Sequence, residues 1–188
     1  MKLYLLRHGQ RGHGPEIDAL TLEGIKQSEK TTEYLKKLKI DKIICGDSNR
    51  ARKTLEPFLK LFHGQIEYTS EVNEQNMGIF QGKSKAEWDE AVKKSSLSEK
   101  EFRPESGESS SDAYERAKRF VERLKNEKAE NILIVSHSGF ISDVSTLLLN
   151  KAREDNVNYK MQFCAITCFE FDKDFRVKSY CINSISHL

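Results

Sequence analysis

The chain has 188 residues, which is enough for one domain with a sizeable core. Its 31 Lys and Arg residues against 29 Asp and Glu residues leave a net charge of +2, which argues against nucleic acid or a membrane surface as the main partner. Mean hydropathy is −0.65, and neither a secretory signal nor the roughly 18-residue apolar run of a membrane-spanning helix is recognisable.

Short β-like runs alternate with helical patterns along the chain. Strands are predicted at residues 3–6, 42–45, 66–68, 131–136, 164–171 and 177–182, and helices at residues 21–38, 51–62, 85–94, 111–126 and 140–149. Strands separated by helices predict an α/β fold. We expect a three-layer α/β/α sandwich with a mostly parallel central sheet and an antiparallel edge strand.

Two of the predicted helices carry finer expectations. Thr21 is the expected N-cap of the first helix. Its buried face is predicted from the apolar residues in rough helical register, which are Leu22, Ile25, Leu35 and Leu38. Pro57 is expected to kink the second helix or to end its first turn.

Residues 71–111 break the alternating pattern, because they are polar and contain three glycines and a proline. We interpret residues 1–188 as a single domain in which residues 71–111 form an irregular lid or cap over the sheet. Long loops of this kind in compact domains are often binding segments.

The four cysteines form no CxxC pair; they are Cys45, Cys164, Cys168 and Cys181. Cys164 and Cys168 are expected to face one side of a strand, since side chains alternate along it. Buried thiols are favoured over a metal or disulfide site, and a reducing cytoplasm is the expected compartment.

Polar residues follow three of the predicted strands at the point where each strand ends. Arg7, His8 and Gly9 close the first strand, residues 47–50 follow the second, and residues 136–139 follow the strand NILIVS. In an open α/β sheet, ligands bind outside the carboxyl ends of the strands. If these strands are neighbours, two histidines and two arginines meet at one edge.

Such a cluster suits a phosphate group. Arginine offers phosphate oxygens a planar fork of donors, and the amides at the start of the helix after residue 139 add to it. A neutral histidine is a candidate nucleophile toward phosphorus, while the arginines and a second, cationic histidine would stabilise charge. Gly9 and Gly139 are expected to let the backbone approach the ligand.

Seven segments then carry a resemblance to a known family. They are LLRHGQ (5–10), ALTLEGIKQS (19–28), GDSNRARKT (46–54), NEQNMGIFQGKS (73–84), PESGES (104–109), ILIVSHSGF (132–140) and INSISHL (182–188). Each resembles, in the same order, a motif of the histidine phosphatase superfamily, which has the phosphoglycerate-mutase-like fold. The sequence is identified as a member of that superfamily.

The resemblance implies a role for each matching residue. His8 matches the histidine that is transiently phosphorylated, and Arg7, Arg50 and His137 match the rest of the phosphate pocket. Glu74 matches the acid that protonates the leaving oxygen and later activates water. Contacts to substrate or phosphate are implied for Gln10, Ser138 and Gly139. Ser109 either touches phosphate or caps a helix.

Some positions depart from the family pattern. Residues 11–14 read Arg-Gly-His-Gly where many members have Thr and then Asn, and they are either a substrate contact or, as we prefer, a surface turn. Phe80-Gln81 replaces Trp-Glu as a packing change. Ser138 replaces a glycine, which either narrows the pocket or adds a donor.

The sequence therefore predicts a phosphomonoester hydrolase acting on a small phosphorylated metabolite. No Asp, Glu and His cluster has metal-ligand spacing, so neither a metal nor another cofactor is expected. The alternative is a phosphoglycerate mutase-type phosphotransferase, which needs a second phosphate site and a lid. A non-catalytic module that binds phosphorylated ligands is the minor reading, since none of the catalytic side chains is missing.

Overall fold

The computed structural model describes residues 1–13, 16–154 and 161–188. Strands and helices alternate along it, except that the third and fourth helices follow each other and the last two elements are both strands. In chain order the elements are β1 (Lys2–Arg7), α1 (Leu22–Leu35), β2 (Lys42–Cys45), α2 (Asn49–Leu59), β3 (Gln65–Tyr68), α3 (Lys85–Ser95), α4 (Ser110–Leu124), β4 (Asn131–Ser136), α5 (Ser138–Leu148), β5 (Ile166–Phe171) and β6 (Val177–Ser184).

The strands form one sheet in the order β3-β2-β4-β1-β5-β6. The pairs β3–β2, β2–β4 and β4–β1 are parallel, whereas β5 is antiparallel to both β1 and β6. The mostly parallel sheet with an antiparallel pair at one edge is thus confirmed. Because β4 lies between β1 and β2, the three strands whose ends carry the predicted polar residues are neighbours.

Two hydrophobic clusters cover opposite faces of the sheet, as the alternation of side chains along the strands requires. Leu3 and Leu5 of β1 face one cluster with α4 and α5, while Leu6 faces the other with α1 and α2. In β4, Ile132 and Ile134 point to the first side and Leu133 and Val135 to the second. The three layers predicted from the sequence follow from this division.

The predicted buried face of α1 is only partly right. Leu35, the last residue of the helix, is buried and Leu38 beyond it packs partly buried against the core, but Leu22 is 80% exposed and Ile25 is 45% exposed. The rest of the buried face is built from small residues, namely Gly24, Ser28, Thr31 and Thr32. Small side chains let α1 approach α2 closely, and Ser28 Oγ donates to the Thr54 carbonyl at 2.9 Å. Thr21 is the N-cap, as predicted.

Two further expectations need correction. Pro57 lies inside α2, which continues to Leu59, so proline is tolerated in the last turn and does not end the first. Cys164 precedes β5 with φ of 53° and does not share a strand face with Cys168. Cys45 and Cys164 are buried as predicted, but Cys168 is only partly buried and Cys181 is exposed.

Residues 71–111 contain one α-helix, α3, near the predicted position, flanked by irregular chain. Phe80, Trp88 and Phe102 pack edge to face in a small aromatic cluster, with ring centroids 5.0–6.2 Å apart. Phe80 therefore serves the packing role expected of it. In the described ranges, no helix is long and apolar enough to cross a membrane.

Candidate active site

A cavity of about 970 Å³ opens at the carboxyl ends of β1, β2 and β4. All five residues predicted as catalytic line it; they are Arg7, His8, Arg50, Glu74 and His137. Four of them follow strand ends, as the sequence predicted, while Glu74 comes from the irregular segment after β3. The structure thus brings together residues up to 130 positions apart in the sequence.

His8 is buried at the base of this cavity, with 3% of its surface exposed. Its Nδ1 lies 2.8 Å from the Gly9 carbonyl oxygen. A carbonyl oxygen only accepts, so Nδ1 carries the proton and Nε2 carries the lone pair. Burial lowers the pKa of His8 from 6.5 to about 3, with nearby Arg50, Arg7 and Arg11 acting in the same direction. The ring is therefore neutral, with a nucleophilic nitrogen, at ordinary pH.

His137 lies beside His8, with ring centroids 5.0 Å apart. Arg50 Nη2 lies 3.1 Å from His137 Nδ1, and Ser48 Oγ lies 3.3 Å from His137 Nε2. Because guanidinium can only donate, Nδ1 accepts and the ring proton belongs on Nε2. Burial, reinforced by His8 and Arg50, holds the pKa of His137 well below its usual range. His137 is therefore neutral in this structure, which corrects the predicted cationic histidine.

Two guanidinium groups provide unused donors at the cavity. Nε of Arg7 and Nε of Arg50 are buried and have no hydrogen-bond partner among the described residues. Buried donors are normally paired, so such orphans call for an acceptor. The other arms are fixed, because Arg7 Nη1 donates to the Met161 carbonyl and Arg50 Nη1 donates to Asp18 Oδ1 at 2.8 Å. An anion with several oxygen atoms satisfies this arrangement.

Glu74 is held against the start of α5. Its Oε2 accepts a hydrogen bond from the Gly139 amide at 3.2 Å, and the Gln75 amide lies 3.4 Å from Oε1. A Cβ atom on Gly139 would overlap Oε1. The glycine thus makes room for the carboxylate, and this amide is engaged by Glu74 rather than left for phosphate as the sequence predicted.

Gly9 must also be small because of close packing, which the sequence did not reveal. A Cβ atom there would lie 2.7 Å from the Gly24 carbonyl oxygen at the start of α1. The small residue lets β1 and α1 pack closely at the base of the site. Neither Gly9 nor Gly139 is kept small by the cavity itself, contrary to expectation.

The three residues predicted to contact substrate or phosphate are placed outside the cavity lining. Gln10 Oε1 accepts from Thr21 Oγ1 at 2.7 Å. The Ser138 hydroxyl accepts from the Met161 amide at 3.3 Å, and Gly139 contacts Glu74 as described. Ser109 caps α4 in a reciprocal arrangement with Asp112, which favours the capping interpretation over a phosphate contact.

The segment after Gln10 is not a free surface turn. Arg11 and His13 line the cavity, and Arg11 pairs with Leu20 in an isolated β-bridge. The Gly12 amide donates to the Ala19 carbonyl at 3.0 Å. Gly14, the last residue of that predicted turn, lies outside the described residues.

Sequence reasoning missed four residues that shape the site. Asp18 accepts from Arg50, and Ser48 contacts His137. Arg116 and Glu108 form an ion pair of 2.6 Å in the cavity wall. Ser48 caps α2 and is detectable as a polar residue before a helix, whereas the other contacts join residues that no local pattern relates. Within the described ranges, no group of three or more His, Cys, Asp or Glu residues is arranged to hold a metal ion.

Comparisons with known proteins identify the family of the chain. Residues 3–183 match the sequence model of the Histidine phosphatase superfamily (branch 1). The chain is 24% identical over 200 residues to the adenosylcobalamin/alpha-ribazole phosphatase of Escherichia coli (strain K12), with 93% of this chain and 92% of that protein covered.

Solved structures share the fold. The alpha-ribazole phosphatase from Shigella flexneri has a TM-score of 0.80 at 25% identity, with 98% of this chain and 96% of that chain covered. Bacillus stearothermophilus YhfR has a TM-score of 0.81 at 21% identity, with coverage of 99% and 98%. The chain therefore belongs to the histidine phosphatase superfamily and is a phosphatase of that superfamily.

Proposed function

We propose that the protein hydrolyses phosphomonoesters through a phosphohistidine intermediate on His8. The observation that carries this proposal is the state of the His8 ring in the cavity. Its Nδ1 proton is committed to the Gly9 carbonyl, so Nε2 holds the free lone pair. Its pKa near 3 keeps that nitrogen unprotonated wherever the enzyme works above about pH 4.

The first step transfers the phosphoryl group to the enzyme. His8 Nε2 attacks phosphorus in line with the ester oxygen, the nitrogen–phosphorus bond forms, and the phosphorus–oxygen bond breaks. Glu74 gives its proton to the departing alkoxide. The carboxyl group is in a suitable place for this role, because Glu74 lines the same cavity as His8.

The second step restores the enzyme. Glu74, now a carboxylate, takes a proton from water, and the water oxygen attacks phosphorus while the phosphorus–nitrogen bond breaks. Arg7 and Arg50, which both line the cavity, stabilise the charge on the equatorial oxygens in both steps. This supply of positive charge lets the proposed reaction proceed without a metal ion.

The proposed substrate class is a small phosphorylated metabolite. A cavity of about 970 Å³ is much larger than one phosphate group, and its outer wall is formed by residues of the 71–111 segment such as Phe80 and Lys83. We propose that this segment covers the leaving group as the lid of a single domain. The curated relative is named for alpha-ribazole phosphate, a phosphomonoester, and sequence identity of 24% supports the class of reaction rather than that compound. The cytoplasm remains the proposed compartment.

A direct assay tests the reaction. Wild type is expected to hydrolyse p-nitrophenyl phosphate in the presence of EDTA, and His8→Ala is expected to lose at least about 10⁴-fold in kcat. Acid-labile, base-stable phosphate should be trapped on wild type but not on the variant. Absence of turnover on this ester and on a panel of phosphomonoesters would refute the proposal. Conversion of 3-phosphoglycerate to 2-phosphoglycerate with bisphosphoglycerate present, without phosphate release, would favour the mutase alternative.

A further inference from the structure

We propose that Arg116 is a positioning residue for the general acid, because it fixes the backbone that carries Glu74. This inference rests on the proposed function. The guanidinium of Arg116 donates from Nη1 to the carbonyl oxygens of Glu71 at 2.8 Å and Asn73 at 2.9 Å. Its Nη2 lies 3.5 Å from the carbonyl oxygen of Glu74 itself. One side chain thus fixes residues 71–74 from a single point.

We call Arg116 with its hydrogen bonds to residues 71–74 the Arg116 clamp, and the helix that carries it is firmly packed. Arg116 projects from α4, whose neighbouring residues Ala117 and Phe120 are fully buried in the core. Glu108 holds the far side of the guanidinium, with Oε1 at 2.6 Å from Nη2 and Oε2 at 3.3 Å from Nε. The side chains of Arg116 and Glu108 are only 15% and 20% exposed, so solvent screens the pair little.

The segment needs such a clamp because no strand or helix holds it. Residues 73–77 have no regular hydrogen-bonding pattern, and within the described ranges the hydrogen bonds of the Glu74 carboxylate come from backbone amides. A direct pair with arginine would fix the carboxylate but would favour its ionised form, which opposes its use as an acid. Fixing the main chain, while Glu108 takes the charge of Arg116, orients the carboxyl group without adding a further charged donor to it.

The test uses two aryl phosphates that differ in leaving-group basicity. Phenyl phosphate needs protonation of its leaving oxygen far more than p-nitrophenyl phosphate does. The value of kcat/KM reports the transfer to His8 and not the later hydrolysis. We expect Arg116→Gln to lower kcat/KM roughly 30-fold for phenyl phosphate and less than about 3-fold for p-nitrophenyl phosphate, within the usual effect of a general acid. Arg116→Lys keeps the charge but loses the several N–H donors of the guanidinium group. It is expected to show a smaller difference of the same kind between the losses on the two esters.

The matched control is Arg123→Gln. Arg123 lies two turns further along α4 and binds the side chains of Glu71 and Glu67. None of its hydrogen bonds within the described chain reaches Glu74. We expect it to leave the ratio of the two kcat/KM values unchanged, even where thermal unfolding shows a loss of stability.

A double-variant cycle decides between action through Glu74 and direct action on substrate. In a Glu74→Gln background, Arg116→Gln should change kcat/KM by less than about 2-fold, because the group that it positions is already lost. Equal losses on both esters in the Arg116 variants, or additive losses in the cycle, would overturn the inference. If Arg116→Gln does not fold, the same comparisons with Arg116→Lys decide. Failure of wild type on both esters would instead refute the proposed function.

Discussion

The two ends of the cavity are built by different means. At the phosphate end, Arg7, His8 and His137 sit at the ends of paired strands, so the main chain of the sheet fixes their positions. At the part that we call the acid end, Glu74 sits on irregular chain, held by an amide of α5 and by the Arg116 clamp. The comparison teaches that the position of the proposed nucleophile depends on the fold as a whole, whereas that of the proposed acid depends on individual hydrogen bonds.

The largest effect is expected at the phosphate end. Arg50 lines the cavity and donates from Nη1 to Asp18 and from Nη2 to His137, and lysine has no planar fork that can make both contacts. We expect Arg50→Lys to lower kcat/KM by about 10²–10³-fold. The loss should be equal for phenyl and p-nitrophenyl phosphate, because Arg50 serves the phosphoryl group and not the leaving oxygen.

Arg52→Lys provides the control for that change, since Arg52 belongs to the same helix but donates to the Asp47 carbonyl outside the cavity lining. Steady-state assays of both variants on both esters check the prediction. A loss of kcat/KM with Arg50→Lys that is several-fold greater on phenyl phosphate than on p-nitrophenyl phosphate would contradict the prediction. It would mean that Arg50 also affects protonation of the leaving oxygen.

A smaller effect that depends on the leaving group is expected at the acid end. A methyl group on Gly139 would overlap the Glu74 carboxylate, so Gly139→Ala should push it out of position. We expect about a 10-fold to 100-fold loss of kcat/KM on phenyl phosphate and a clearly smaller loss on p-nitrophenyl phosphate. Ser145→Ala, on the buried side of α5, is the control. It should change neither kcat/KM on either ester nor the ratio of the two kcat/KM values.

The smallest expected effect is on stability and concerns the phosphate end. Folding keeps His8 neutral down to about pH 3, whereas in the unfolded chain it takes up a proton near pH 6.5. Burial of His8 therefore costs no stability through protonation above pH 6.5, and it destabilises the fold by about 1.4 kcal/mol per pH unit as the pH falls from 6.5 toward 3. Between pH 7 and pH 5, wild type should lose roughly 2 kcal/mol more unfolding free energy than His8→Asn.

Urea unfolding of both proteins at the two pH values measures this difference. Glu74→Gln, which alters the acid end alone, should keep the His8 contribution and follow wild type in this window. Parallel pH dependence of wild type and His8→Asn would show that burial of His8 does not control its protonation.

The phosphate end could be predicted from the sequence, and the acid end could not be derived without the family resemblance. Apolar runs that stop at Arg7, Cys45 and Ser136 mark strand ends, and parallel pairing brings the residues after them together. The proton position on His137 was not predictable, because it depends on Arg50 and Ser48. Both neighbours reach it from 87 or more residues away.

The contacts at the acid end leave no local signal. Arg116 meets carbonyl groups that lie 42 to 45 positions earlier in the chain, and a carbonyl is the same in every residue type. The prediction that Leu22 and Ile25 are buried failed for a related reason. These exposed residues of α1 resemble a core-facing stripe, while the true contact uses Gly24, Ser28 and other small residues that carry little hydropathy.

The pairing of β1 with β4 has one last consequence. Arg7 lies opposite Ser136 in the register, so His8 and His137 each follow their strand by one residue. Their ring centroids are 5.0 Å apart, close to the roughly 4.8 Å that separates any two hydrogen-bonded strands. Strand pairing thus sets the spacing of the two main-chain positions, while Gly9, Arg50 and Ser48 orient the rings. The two histidines therefore keep their main-chain spacing when side chains elsewhere in the cavity wall are exchanged.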